Sequence, residues 1–100
     1  MIRHIVMWTL KDEADGRTRA ENSRRLKEAL ERMRAHIPEI LRMEVGLNAV
    51  EGPDAFDLVL VADFAAVDDL ERYQVHPAHD QVKALARTVR EDRAVVDYEI

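Results

Sequence analysis

The chain has 100 residues, 47% hydrophobic and 35% charged, so it is sized for one small globular domain and is too apolar for disorder. Lys and Arg number 15 against 20 Asp and Glu, and the net charge of −5 argues against a protein built to cover phosphate backbone. The absence of cysteine excludes a disulfide scaffold, a thiolate nucleophile and Cys-ligated zinc or iron–sulfur sites.

Ile2 to Leu10 alternates and is rich in β-branched and aromatic residues, which predicts a strand. Ile2, His4, Val6, Trp8 and Leu10 share one face; Arg3, Ile5, Met7 and Thr9 share the other. Asp15-Gly16 breaks the pattern. Thr18 followed by Glu21 matches a capping box, and a helix is expected from there to about His36, with Leu26, Leu30, Met33 and Ile37 as its apolar stripe, joined by Ala29. Glu21/Arg25 and Glu28/Arg32 are spaced to support it. Pro38 ends the helix.

Met43 to Ala49 alternates again and reads as a second strand. Glu51-Gly52-Pro53-Asp54 is a turn, and Phe56 to Phe64 is a third strand. Its centre is apolar on both faces, with Val59 and Val61 opposite Leu58 and Leu60. Val67 to Tyr73 predicts a short helix with a poor cap, since Ala65 and Ala66 stand where Ser or Asp is favoured. Pro77 to about Val89 predicts another, with Val82, Leu85, Ala86 and Val89 inward. Ala94 to Ile100 is the last strand. No apolar run approaches membrane-spanning length, and no apolar leader precedes the first strand, so a cytoplasmic protein without membrane contact is expected.

The order β-α-β-β-α-β, with the second helix broken at His76-Pro77, is the ferredoxin-like α+β plan: an antiparallel four-stranded sheet with helices on one face. The uncovered face would carry Ile5, Met7, Val59, Val61 and Val95, or their partners, an apolar patch unsuited to a monomer. Its simplest cover is the same face of a second copy, giving a homodimer paired sheet to sheet, a dimeric α+β barrel.

Three histidines stand where chemistry is feasible. His4 interrupts the apolar face of the first strand, and His76 and His79 flank Pro77. The residue before proline is biased away from helix, so His76 is the expected cap and His79 lies in the first helical turn. There the helix dipole disfavours imidazolium, and a neutral ring is able to accept a proton. Tyr73 lies close enough in sequence to share that space, where a phenol can hold a developing oxyanion. Each residue also has a plain structural reading: a satisfied strand histidine, a cap, a core tyrosine with a wet hydroxyl. His76 and His79 lack a fixed third partner, so neither a metal nor a cofactor is expected. The Arg and Lys residues of the first helix alternate with Glu and read as a solvated face, so no nucleic-acid partner is expected.

Ile2-Arg3-His4-Ile5-Val6-Met7, Tyr73-Gln74-Val75-His76-Pro77-Ala78-His79 and Val95-Val96-Asp97-Tyr98 resemble the stress-responsive A/B barrel (Dabb) family across the whole chain, residues 1–100. The resemblance implies a ferredoxin-like protomer in a homodimer. Most members have no known activity, and a few, of the olivetolic acid cyclase type, close polyketide chains by aldol condensation without a cofactor. It implies His4, Tyr73, His79 and Asp97 as site residues: His79 as general base, Tyr73 on the carbonyl oxygen, His4 as an orienting group and Asp97 as a support. Asp97 would fix the tautomer of His79 if it bonds the distal ring nitrogen. Three readings stay open: a dimeric module whose pocket holds a small hydrophobic ligand, a cofactor-independent cyclase, and a monooxygenase-like dimeric barrel.

Overall fold

The computed structural model describes residues 1–100. The elements run β1 (Ile2–Leu10), β2 (Glu13–Ala14), β3 (Arg17–Thr18), α1 (Arg19–Met33), a 3-10 turn (Arg34–His36), β4 (Arg42–Leu47), β5 (Leu58–Phe64), α2 (Val67–Val75), α3 (Pro77–Val89) and β6 (Arg90–Glu99). β4, β5, β1 and β6 form one antiparallel sheet in that spatial order, which is the ferredoxin-like arrangement.

β1 sits in the middle of the sheet and buries His4, Val6, Trp8 and Leu10 under the helices, the face its alternation predicts. The stripe of α1 also packs as expected: Leu26, Leu30 and Met33 are buried, and Ile37 continues it beyond the helix. Burying each such side chain stabilises the fold by about 1.5–3 kcal/mol. The capping box is present, with the Glu21 N–H donating to Thr18 Oγ1 at 3.2 Å and the Thr18 N–H donating to Glu21 Oε1 at 3.1 Å. Glu21 is thereby engaged at the cap, and Arg25 turns instead to Asp15 Oδ2 and Asn22 Oδ1. Glu28 and Arg32 do pair, at 3.9 Å.

Asp15 and Gly16 both adopt positive φ, 56° and 71°, and the chain doubles back into the small β2–β3 hairpin rather than a plain loop. Buried Asn22 ties that hairpin to α1 through an Nδ2–H bond to the Ala14 carbonyl at 3.0 Å.

β5 begins at Leu58, not at Phe56, because Asp57 is used otherwise: its N–H donates to the Trp8 carbonyl and its Oδ2 accepts from the Leu10 N–H. β4 ends at Leu47, short of Ala49. β6 starts directly after α3 at Arg90, earlier than the alternation from Ala94 suggests. Ala66 gives α2 no side-chain cap, Val67 is exposed, and Leu70 and Tyr73 carry the inner face.

The uncovered face holds Ile5, Met7, Val59 and Val61, but Val95 is not on it. Val95 is opposite inward-facing Val6, and Val96, opposite Ile5, takes the outer position at 52% exposure. A half-buried ion pair lies among these apolar groups: Arg3 grips buried Asp63 with two bonds, at 2.8 and 3.0 Å, and holds its carboxyl below the usual carboxylate range.

Candidate functional site

The site is built where β1, β5 and β6 face α2 and α3. Antiparallel register sets His4 of β1 directly opposite Asp97 of β6, so both side chains lie on the helix-facing side. His4 Nδ1 meets Asp97 Oδ1 at 2.5 Å. A carboxylate only accepts, so the hydrogen sits on Nδ1, and in the neutral ring Nε2 is left as an acceptor. Asp97 therefore supports His4 and not His79, a correction to the expectation from the sequence. The reason is register: strand pairing brings Asp97 to β1, whereas His79 stands on a helix above.

Tyr73 and His79 approach because the chain bends between them. His76 is extended (φ −66°, ψ 137°), its Nδ1 accepts from the Ala78 N–H at 3.0 Å, and Pro77 opens α3. With Nδ1 engaged in the cap, that ring nitrogen is not free to act with His79. The bend stacks the Tyr73 and His79 rings at 4.4 Å between centroids, and places Tyr73 edge-on to His4 at 5.8 Å. Phe64 backs both, 5.1 Å from Tyr73 and 6.4 Å from His4. His4, Tyr73 and His79 thus meet at one place.

They line a cleft of about 370 Å³ whose apolar wall includes Val6, Leu30, Leu60, Val82 and Ala86. Burial, first of all, and then the Lys83 charge pull the His79 pKa down to about 4, with a smaller contribution from His4; the nearby Gln74 carbonyl and Asp80 oppose this. His79 is a free base at pH 7, as its place at a helix start suggests, but burial is the leading cause. Its Nδ1 is buried without a hydrogen-bond partner. Burial also pushes the Tyr73 phenol up, so it remains a hydrogen donor at neutral pH, with the Arg93 charge acting against that shift. Nothing in the protein hydrogen-bonds the Tyr73 hydroxyl.

Sequence reasoning missed the other polar wall of the cleft: Lys83, Arg87, Arg90 and Arg93. The signal was present as Lys83 and Arg87 one helical turn apart, followed by two further arginines on the next strand. It was obscured by the more numerous basic residues of α1. No group of three or more His, Asp or Glu side chains is gathered as a metal site. No helix is long and apolar enough to cross a membrane.

A ferredoxin-like protomer with one bare sheet face and a cleft under its helices defines the class of α+β barrel proteins. The chain belongs to the Stress responsive A/B Barrel Domain (Dabb) family, whose model matches residues 2–100. A dimeric protein of unknown function and ferredoxin-like fold from Bacteroides fragilis is similar at 32% identity and TM-score 0.86, covering 99% of this chain and 95% of its own. A dimeric ferredoxin-like protein of unknown function from Thermobifida fusca is similar at 26% identity and TM-score 0.85, covering 99% and 90%. A hydroxynitrile lyase from Passiflora edulis shares the fold at 17% identity and TM-score 0.82, covering 99% and 92%. No curated protein matches the chain.

Proposed function

We propose that the chain works as a homodimeric barrel protein that holds a small, largely apolar molecule in the helix-side cleft, with His4, Tyr73 and His79 as its polar contacts. The observation that carries this reading is the meeting of these three rings beside an apolar wall in a cleft of about 370 Å³, within the size range of small-molecule sites. The second copy covers the bare face at Ile5, Met7, Val59, Val61 and Val96, since water contact with so continuous an apolar surface is unfavourable. The relatives described as dimeric support this pairing. A thermal-shift screen of acyl and polyketide-like compounds tests the cleft. A compound that raises the melting temperature of the wild type but not of His79→Ala supports the reading; a screen that stabilises neither, or both alike, contradicts it.

A second reading, a cofactor-independent cyclase, is favoured by the stack of a neutral histidine on a protonated phenol. His79 takes the proton from carbon α to a carbonyl, and Tyr73 donates a hydrogen bond to the oxygen of the resulting enolate. That carbon bonds to a second carbonyl carbon of the same chain, whose oxygen becomes an alkoxide and receives the proton back from His79. The low pKa suits the last step, because a weakly held proton is readily returned. His4, held by Asp97, orients the far end of the chain. Cyclised product from a poly-β-keto thioester, lost in Tyr73→Phe and His79→Ala, distinguishes this reading; its absence leaves ligand binding alone.

A further inference from the structure

The cleft carries a charge pattern that an apolar ligand alone leaves unused. Four cationic side chains line it and no carboxylate does, in a chain whose net charge is −5. Two separate elements supply them. Lys83 and Arg87 lie one turn apart on α3, and Arg90 and Arg93 lie on the helix-facing side of β6, opposite Leu10 and Trp8. None of the four is in an ion pair, whereas Arg3, Arg19, Arg25 and Arg72 elsewhere are each held by an aspartate. Lys83 donates to the Gln74 carbonyl, which keeps its charge at the cleft. Asp97 shares this side of β6 but is engaged by His4, and exposed Asp80 does not line the cleft. Like charges gathered around a partly desolvated cleft repel one another, and a bound anion relieves that repulsion.

The remaining polar groups point the same way. The Tyr73 hydroxyl has no acceptor, and the buried indole Nε1 of Trp8, also in the cleft wall, has none either. Donors outnumber acceptors there: against four cations, the Tyr73 hydroxyl and the Trp8 indole stand only the free ring nitrogens of His4 and His79 and the Gln74 amide oxygen. The volume of about 370 Å³ equals roughly a dozen water molecules, room for one ring or a medium-length chain.

We propose that the ligand of this cleft is a small amphipathic acid, its apolar body against Val6, Leu60 and Val82 and its anionic head held by Arg87, Arg90 and Arg93. This rests on the small-molecule reading of the cleft and narrows it to anions. Guanidinium groups suit the task because their planar fork pairs with two oxygens of a carboxylate or phosphate at once.

Titration of the full chain at low salt with hexanoate, hexyl phosphate and 1-hexanol, followed by amide and arginine side-chain NMR shifts, tests it. The better of the two anions is expected to bind at least about tenfold more tightly than the alcohol. Which anion binds better identifies the head group. The advantage should shrink in 1 M salt, where the screening length falls to about 3 Å. The double variant Arg87→Gln, Arg93→Gln changes two exposed side chains and should erase the advantage while leaving 1-hexanol binding unchanged. Equal binding of alcohol and anions, or equal weakening of all three by the double variant, overturns the anion assignment while the cleft reading stands. Failure of all three to bind overturns both.

Discussion

Tyr73 and His79 stack across the break between α2 and α3, 4.4 Å between ring centroids with their planes 29° apart. The pair exists because Pro77 forces a new helix to start where the old one stops, so a residue in the last turn of α2 faces one in the first turn of α3. A proton acceptor and a proton donor are thereby brought into contact at the wall of a cleft.

The acceptor should titrate abnormally. An NMR pH titration is expected to show His79 neutral at pH 7 with a midpoint near 4, well below the ordinary imidazole value of 6.5. Because the folded pKa is the lower one, the unfolded chain binds the proton first. The His79 contribution leaves stability unchanged above about pH 6.5, and stability then falls as pH drops from there toward 4. The loss in urea midpoint between pH 7 and pH 5 should be smaller in His79→Gln. A midpoint at or above 6.5 contradicts the burial argument.

The donor should be energetically silent in the fold. With no protein partner for its hydroxyl, Tyr73→Phe should change unfolding free energy by less than about 0.5 kcal/mol. Tyr73→Ala, which removes the ring from the core, should cost about 3–5 kcal/mol. A loss above 1 kcal/mol for the phenylalanine variant would reveal a hydrogen bond to that hydroxyl.

Asp97 is expected to act through His4. Asp97→Asn replaces a charge-assisted bond with a neutral one and should cost about 1 kcal/mol in urea denaturation, together with a changed His4 Nδ1 resonance. If the variant instead shifts only the His79 signals, the carboxylate serves the other ring.

Much of this was written in local patterns. The alternation of Ile2 to Leu10, the Thr18–Glu21 box and His76-Pro77 each act over a few residues, and each element formed as they imply. What pattern could not give were pairings across the chain. Nothing between Val95 and Val96 says which faces inward until strand register sets Val6 against Val95. Likewise, Asp97 meets His4 only through a ladder joining the two ends of the chain. Asn22 stands one turn before Leu26 on the inner face of α1, and what a polar residue does there is visible only once the β2–β3 hairpin supplies the Ala14 carbonyl. The cationic wall was missed for the same reason: its members lie on two elements whose facing sides are set only by packing.

The bare sheet face should be intolerant of charge. Val61→Asp, and likewise Ile5→Asp, places an unpaired carboxylate in the proposed interface and should raise the dimer dissociation constant by two orders of magnitude or more, on the order of 3 kcal/mol. Glu31→Ala, on the exposed side of α1, should leave it unchanged. Equal behaviour of the two kinds of variant in size-exclusion chromatography would argue for pairing elsewhere.

Sedimentation equilibrium of the unmodified chain at micromolar concentration weighs the pairing itself. The apolar face of Ile5, Met7, Val59, Val61 and Val96 calls for a species of twice the 11.5 kDa chain mass. A single species of 11.5 kDa across that range would mean that this face is stable in water on its own, and the barrel would have no second half.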